Sequence, residues 1–428
     1  MVDTDVDLDD MGGLMYLLSA GRTPIGISVA GDGWSNQYAG VVNVQRILQK
    51  AACGATNVAY GQIPYTVLSN DGFSGQHGAG LPPQTYLDGI DFALASNCSS
   101  SPWPVLPAFP YPFGAAKLIV DTVKASDTPV DMLLLGPFTN LARALSLEPG
   151  ILNRIGTLYV SGGKFAEAIL VPEDMESTAS GFYMSNTEPR KNGGQNFFLD
   201  AIATSMVFGA VQRCQAAQQR DCPKIEIMSS DAQHMLQGSP PEEIEALCAG
   251  KCTGKFSAKV EAYFKAISPC GGQPISAIYY WDESAAAMAA GNANEFCSEW
   301  AEEKFVINLD HGPLYSAGIH DPINGVAARI CKKVNRSRFI DIFWEPIRQN
   351  DAAHLCPVNS NEEGLASRLY KDATVDVAAD VGLRKAFLPG TIFFSVAVVV
   401  ALACLVRHKL PGVQQTELLQ QYVEPDLE

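Results

Sequence analysis

The chain has 428 residues, enough for one large domain or two of medium size. With 47% hydrophobic and 18% charged residues it is globular in composition, which excludes a disordered low-complexity chain. The formal net charge of -16 argues against a nucleic-acid partner, because phosphate binding needs clustered Lys and Arg; it suits a site that gathers a cation.

In chain order, the first feature is "MVDTDVDLDDMGGLMYLL", where Asp3, Asp5, Asp7, Asp9 and Asp10 precede an apolar run. Only Met1 and Val2 stand before the aspartates. A parallel strand usually runs about five residues, so the expectation is an N-terminally incomplete chain, short of most of its first strand and of a signal peptide. The runs "TPIGISVAGDG" (23–33), "PVDMLLLGPFTN" (129–140) and "RIGTLYVSGG" (154–163) read as buried strands ending in Gly-containing loops. Residues 35–52 and 139–149 carry apolar residues at helical spacing. Strand, loop and helix in repetition predict an α/β fold: a Rossmann-like open, mostly parallel sheet flanked by helices. The ligand site of such a sheet lies beyond the carboxyl ends of its strands. Residues 167–195 and 215–275 are rich in Pro, Gly and Cys and read as irregular insertions or lids.

Ten of the eleven cysteines precede residue 357, and two N-x-S/T sequons start at Asn97 and Asn335. Both features favour an extracellular or luminal compartment, with the disulfide pairing open. Residues 386–406 hold 21 residues without a charge, long enough to cross a bilayer once as a helix. The expected organisation is a domain over 1–357, a stalk over 358–385, one C-terminal transmembrane helix over 386–406 and a cytosolic tail over 407–428. Arg384 and Lys385 on one flank balance Arg407 and Lys409 on the other, so charge leaves the orientation open.

Carboxylates spaced so closely persist when a hard cation neutralises them. An EF-hand counted from Asp3 fails, because Leu8 and Leu14 stand where Gly and Glu are required. A haloacid-dehalogenase-type phosphohydrolase would use Asp3 and Asp5, but no late GDxxxD-like stretch follows. The opening "DTDVDLDD" resembles instead the DTDxGxDD motif of the inosine-uridine-preferring nucleoside hydrolases, with Asp7 in place of Gly. "LLLGPFTNLARAL" (133–145), "SGGKF" (161–165), "NFFLD" (196–200) and "GIHDPINGVA" (318–327) resemble further segments of that family, in the same order. The spelling is nearest its eukaryotic secreted or membrane-anchored branch.

The resemblance implies hydrolysis of the N-glycosidic bond of ribonucleosides to base and ribose, on a calcium (Ca2+) site. By it Asp5, Asp10, Asp321 and the Leu135 carbonyl would hold the metal, and Asp5 would take a proton from a calcium-bound water. Asp9, Asp32, Asn196 and His77 would face the substrate, and His320 would protonate the departing base or only shape its loop. A homo-oligomer is in keeping with the family. Three departures stand out: Asp32 for Asn, Ser161 for Met, and Gly194 where the family has a sugar-gripping glutamate. The last leaves open an alternative, a membrane-anchored nucleoside- or ribose-binding protein with impaired turnover.

Overall fold

The computed structural model describes residues 1–31, 33, 37–62, 110–111, 113–166, 194–271, 279–310 and 315–349. These fall in one compact unit, Met1–Val358; a second unit, Asn359–Glu428, lies wholly outside the described residues. The expected stalk, transmembrane helix and tail, as well as His77 and Asp32, therefore lie outside them too. Among the described residues no helix is long and apolar enough to cross a membrane.

The first half alternates as its apolar runs predict. Strand β1 (Val2–Thr4) leads to helix α1 (Leu8–Ser19), β2 (Ile27–Val29) to α2 (Gln37–Lys50), and then to β3 (Val58–Tyr60). Helix α3 (Gly114–Ala125), β4 (Val130–Leu134), α4 (Thr139–Leu147) and β5 (Ile155–Ser161) continue the pattern. Beyond lie β6 (Phe165–Ala166), α5 (Gln195–Leu199), α6 (Ala201–Ala216), β7 (Lys224–Met228), α7 (Ser230–Gln233), α8 (Pro241–Cys248) and α9 (Ser257–Gly271). The last described elements are α10 (Trp281–Ala287), α11 (Ala293–Phe296), β8 (Cys297–Ile307), β9 (Gly318–His320), β10 (Val326–Val334) and α12 (Arg336–Gln349).

The ten strands of the described residues join one sheet in the order β3-β2-β1-β4-β5-β7-β10-β8-β9-β6. Pairing is parallel from β3 through to β10, and β8 runs antiparallel to both β10 and β9. The order reverses around β1, whose neighbours are β2 and β4. That is the switch point at which a doubly wound sheet opens a crevice beyond its strand ends.

Alternation along the central strands divides the core. Val130, Met132 and Leu134 of β4 pack with Val123 of α3, Leu141 of α4 and Phe208 of α6 on one face. Leu133 and Leu135 turn to the other face, against Met15 of α1, Val44 of α2 and Phe343 of α12. Both faces are apolar because both are covered, as in parallel sheets generally.

The stretch 215–275 departs from expectation. Its described residues hold β7, an internal strand between β5 and β10, and the helices α7, α8 and α9. "KIEIM" is too short to declare itself beside its Cys- and Pro-rich flanks. The register that makes it a strand comes from its neighbours, with Ile225 opposite Leu158 and Ile227 opposite Ile330. Disulfides join Cys214 to Cys222, Cys248 to Cys252 and Cys297 to Cys331. The last ties β8 to β10.

Candidate active site

The opening aspartates occupy the turn between the carboxyl end of β1 and the start of α1. Asp3 belongs to the strand itself. One of its oxygens accepts from Ser28 Oγ at 2.7 Å and from Asn140 Nδ2 at 2.8 Å, so it ties β1 to β2 and to α4. Asp7 caps α1: its side chain accepts the Leu8 amide at 2.6 Å. It also forms a reciprocal capping box with Asp10, whose Oδ2 accepts the Asp7 amide at 3.1 Å. Thr4 Oγ1 donates to Asp10 Oδ1. The charge that replaces the family's Gly thus sits where a helix N-terminus favours it.

Asp5 and Asp10 meet a third carboxylate that lies far away in sequence. Asp282, in the first turn of α10, offers an oxygen within 4.8 Å of theirs. All three are buried, at 2%, 2% and 4% exposure, a depth at which three negative charges would not persist together unaided. Burial pushes the Asp5 carboxyl well above the ordinary carboxylate range, and Asp10 adds to the push. Burial and the charges of Asp10 and Asp9 do the same to Asp282. Asp9 is half-buried beside them, and its Oδ2 accepts the Asp282 amide at 3.4 Å. Glu283 follows, buried, its carboxyl raised by burial and then by Asp9.

Helix packing makes this meeting possible. Gly12 and Gly13 let α10 press on α1. A Cβ on Gly12 would strike Glu283 and come within 2.8 Å of Phe264, and one on Gly13 would lie 3.2 Å from the Asp282 carbonyl. Opposite, Asn196 at the start of α5 donates from Nδ2 to the Leu135 carbonyl at 2.6 Å and to the Ser161 carbonyl at 3.2 Å. The edge-to-face packing of Phe197 with Phe138 and Phe208 holds α5 in place. Asp5, the Leu135 carbonyl and the Ser161 carbonyl thus sit at the carboxyl ends of β1, β4 and β5. An all-carboxylate donor set fits a hard cation such as calcium or magnesium and does not suit a soft one.

The sequence profile of the inosine-uridine preferring nucleoside hydrolases matches residues 1–341. The chain belongs to that family. An uncharacterized protein of Schizosaccharomyces pombe, C800.11, is 26% identical over 176 residues, 41% of this chain and 40% of that protein. The pyrimidine-specific ribonucleoside hydrolase RihB of Escherichia coli O1:K1 is 34% identical over 58 residues, 14% of this chain and 18% of RihB. The chain thus matches well under half the length of either relative. Among solved structures, the inosine-uridine preferring nucleoside hydrolase of Bacillus anthracis superposes with a TM-score of 0.55 at 18% identity, covering 82% of this chain and 98% of that one. A plant nucleoside hydrolase, PpNRh1, gives 0.57 at 17% identity, covering 82% and 98%. At these identities the likeness shows the nucleoside hydrolase fold.

Within that fold the expected residues separate into two groups. Asp5, Asp9, Asp10, Leu135 and Asn196 gather around the β1–α1 turn. Asp321 does not join the buried carboxylates; it lies in a surface turn between β9 and β10. Its Oδ1 accepts the amides of Ile323 at 3.0 Å and Asn324 at 2.8 Å, and the Asn324 amide, the larger influence, holds its carboxyl below the usual range. His320 is exposed on β9, its backbone paired with Phe305. The "HD" of 320–321 matches the family motif in spelling, but its strand lies two places beyond β10 in the sheet. Asp282, not Asp321, lies beside Asp5 and Asp10. Its signal in the sequence is an Asp-Glu pair opening the Ala-rich helix "WDESAAA" after two tyrosines, a pattern that also describes an ordinary helix start.

Proposed function

We propose that this protein hydrolyses the N-glycosidic bond of ribonucleosides to free base and ribose. The observation that carries this reading is the buried group of Asp5, Asp10 and Asp282 at the switch point of a nucleoside hydrolase fold. These carboxylates, with the Leu135 carbonyl, would hold calcium. That carbonyl has two lone pairs, so its bond from Asn196 leaves one free. When bound, the cation would supply positive charge that orients sugar hydroxyls and makes water easier to deprotonate.

Asp5 accepts a proton from the attacking water at a carboxylate oxygen while that water's oxygen bonds to the anomeric carbon. The bond from anomeric carbon to base nitrogen breaks, and the electron pair leaves with the base, which takes up a proton. Positive charge develops on the sugar as this happens, and the surrounding carboxylates stabilise it. Asp9 accepts a hydrogen bond from a ribose hydroxyl, a charge-assisted contact. Asn196, whose Nδ2 donates to the Leu135 and Ser161 carbonyls, would meet the sugar through its Oδ1. His320, the donor expected from the motif, is exposed on β9 apart from these carboxylates and is not placed to supply that proton. Phosphohydrolase chemistry is set aside, because Asp3, its required partner, is buried and bonded within the sheet.

Membrane anchoring through residues 386–406, with the domain facing outward, belongs to the same proposal. The disulfides among the described residues support the outward-facing domain, since such bonds persist in oxidising compartments. The test is reducing-sugar release from inosine, uridine and adenosine with calcium present. Release from any of them is expected. Binding without release would favour the impaired-turnover alternative, and neither binding nor release would sink both.

A further inference from the structure

We infer that Ser161 and Gln233 are positioning residues for Asp282. A relay from the Gln233 amide through the Ser161 hydroxyl to the Asp282 carboxylate would hold that carboxylate in the geometry that shares a divalent cation with Asp5 and Asp10. The inference rests on the reading of those carboxylates as a cation site. It concerns a position where the resembled family has Met, which has no hydrogen to donate, so the relay is a feature of this chain.

The direction of the relay follows from what each atom can do. Gln233 Nε2 lies 2.9 Å from the Trp281 carbonyl oxygen, which can only accept. The atom facing it must therefore be the amide nitrogen. The second hydrogen of that nitrogen points to Ser161 Oγ, 2.8 Å away. Ser161 Oγ thus accepts, and its single hydrogen goes to Asp282 Oδ1. The three side chains are buried, at 2% exposure for Ser161, 2% for Gln233 and 4% for Asp282, so water does not compete for these bonds.

Each member is fixed by the fold. Ser161 ends β5, and its carbonyl also accepts from Asn196. Gln233 ends α7, which Ser229 caps by accepting the Ala232 amide. Ser229 Oγ in turn donates to the Cys331 carbonyl at 2.7 Å, in the strand that the Cys297–Cys331 disulfide secures. By gripping both the carbonyl of Trp281 and, through Ser161, the side chain of Asp282, Gln233 pins the start of α10 to the end of β5. An untethered aspartate has rotamers to lose when it binds a cation, and a tethered one has lost them already.

The experiment uses the full chain as wild type, Ser161→Ala, Ser161→Thr and Gln233→Ala. Calcium binding is followed by calorimetry and by terbium luminescence, with thermal melts in chelator to show that each variant folds. The expected result is calcium affinity about tenfold or more weaker in Ser161→Ala and Gln233→Ala. Ser161→Thr, which keeps the hydroxyl, should stay within about threefold of wild type. Affinity within about twofold of wild type in both Ala variants would overturn the inference, as would an equal loss in Ser161→Thr. A wild-type chain that binds neither calcium nor terbium would overturn the cation reading and this inference together, an outcome visible before any variant is compared. Should Ser161→Ala fail to fold, Gln233→Ala carries the same expectation.

Discussion

Asp282 and Asp321 are both aspartates in the second half of the chain, yet their surroundings are opposite. Asp282 is buried with Asp5 and Asp10, whereas Asp321 spends its carboxylate on two amides of its own surface turn. Asp282→Asn should lower kcat/KM by about a thousandfold, within the range usual for groups that act directly on the reacting centre. Asp321→Asn should leave kcat/KM within about twofold and the melting temperature little changed, as a surface turn residue does. Sugar release from the better of inosine and uridine, with a thermal melt beside it, separates the two. Asp7 illustrates the same dependence on place. Its charge looks like one too many in the sequence, and in the structure it caps α1.

At the scale of the element, two close approaches set where the helices carrying the site can lie. Gly12→Ala would drive a methyl group into Phe264 and Glu283 between α1 and α10. Overpacking of this kind costs about 1–3 kcal/mol, and the variant should lose calcium affinity along with stability as Asp282 is displaced. Unaltered affinity in a destabilised Gly12→Ala would show that the α1–α10 contact does not set the site. Gly194, just before α5, has φ +84 and ψ 153, a region open almost only to glycine. A Cβ there would also lie 2.9 Å from Ser230 Oγ and 3.0 Å from the Gly163 amide. The family's glutamate therefore has no room at this position, so its loss is built into the local backbone. Gly194→Ala should lower the melting temperature, at a cost of about 1–3 kcal/mol, and a melt unchanged within a degree would contradict that.

For the whole molecule, the buried acids couple stability to pH and to cations. Asp3 and Asp7 are each pushed up to about 7, chiefly by burial. Burial raises Asp5, Asp10 and Asp282 as well. A carboxyl raised in the folded state holds its proton more tightly there than in the unfolded chain. The stability it contributes is complete below the ordinary value of 3.8 and is lost as pH rises through about 7. In chelator, this contribution should therefore decline from pH 5 to pH 8. A cation competes with those protons, so the rise in melting temperature that calcium produces should be larger at pH 8 than at pH 5. Melts at both pH values, with chelator and with calcium, check this; a calcium effect that is larger at pH 5 would contradict it.

The sequence by itself determined the architecture and the turn in which the opening aspartates lie. Strands such as "DMLLL" and the amphipathic α2 are periodic on a scale of a few residues, so their local pattern suffices. The same holds for Asp5, Asp9 and Asp10, which share one turn and one motif. The position of Asn196 was legible from its segment, though its bond to Leu135 was not. The tertiary structure alone decided the third carboxylate, the strand β7 and the role of Gly194. Each depends on which distant segments touch: α10 on α1, β7 between β5 and β10, Gly194 against Ser230 and Gly163. A motif records neighbours along the chain, whereas a buried charge is governed by its neighbours in space. That is why "HD" at 320–321 could match the family's spelling while Asp282 came to lie beside Asp5 and Asp10.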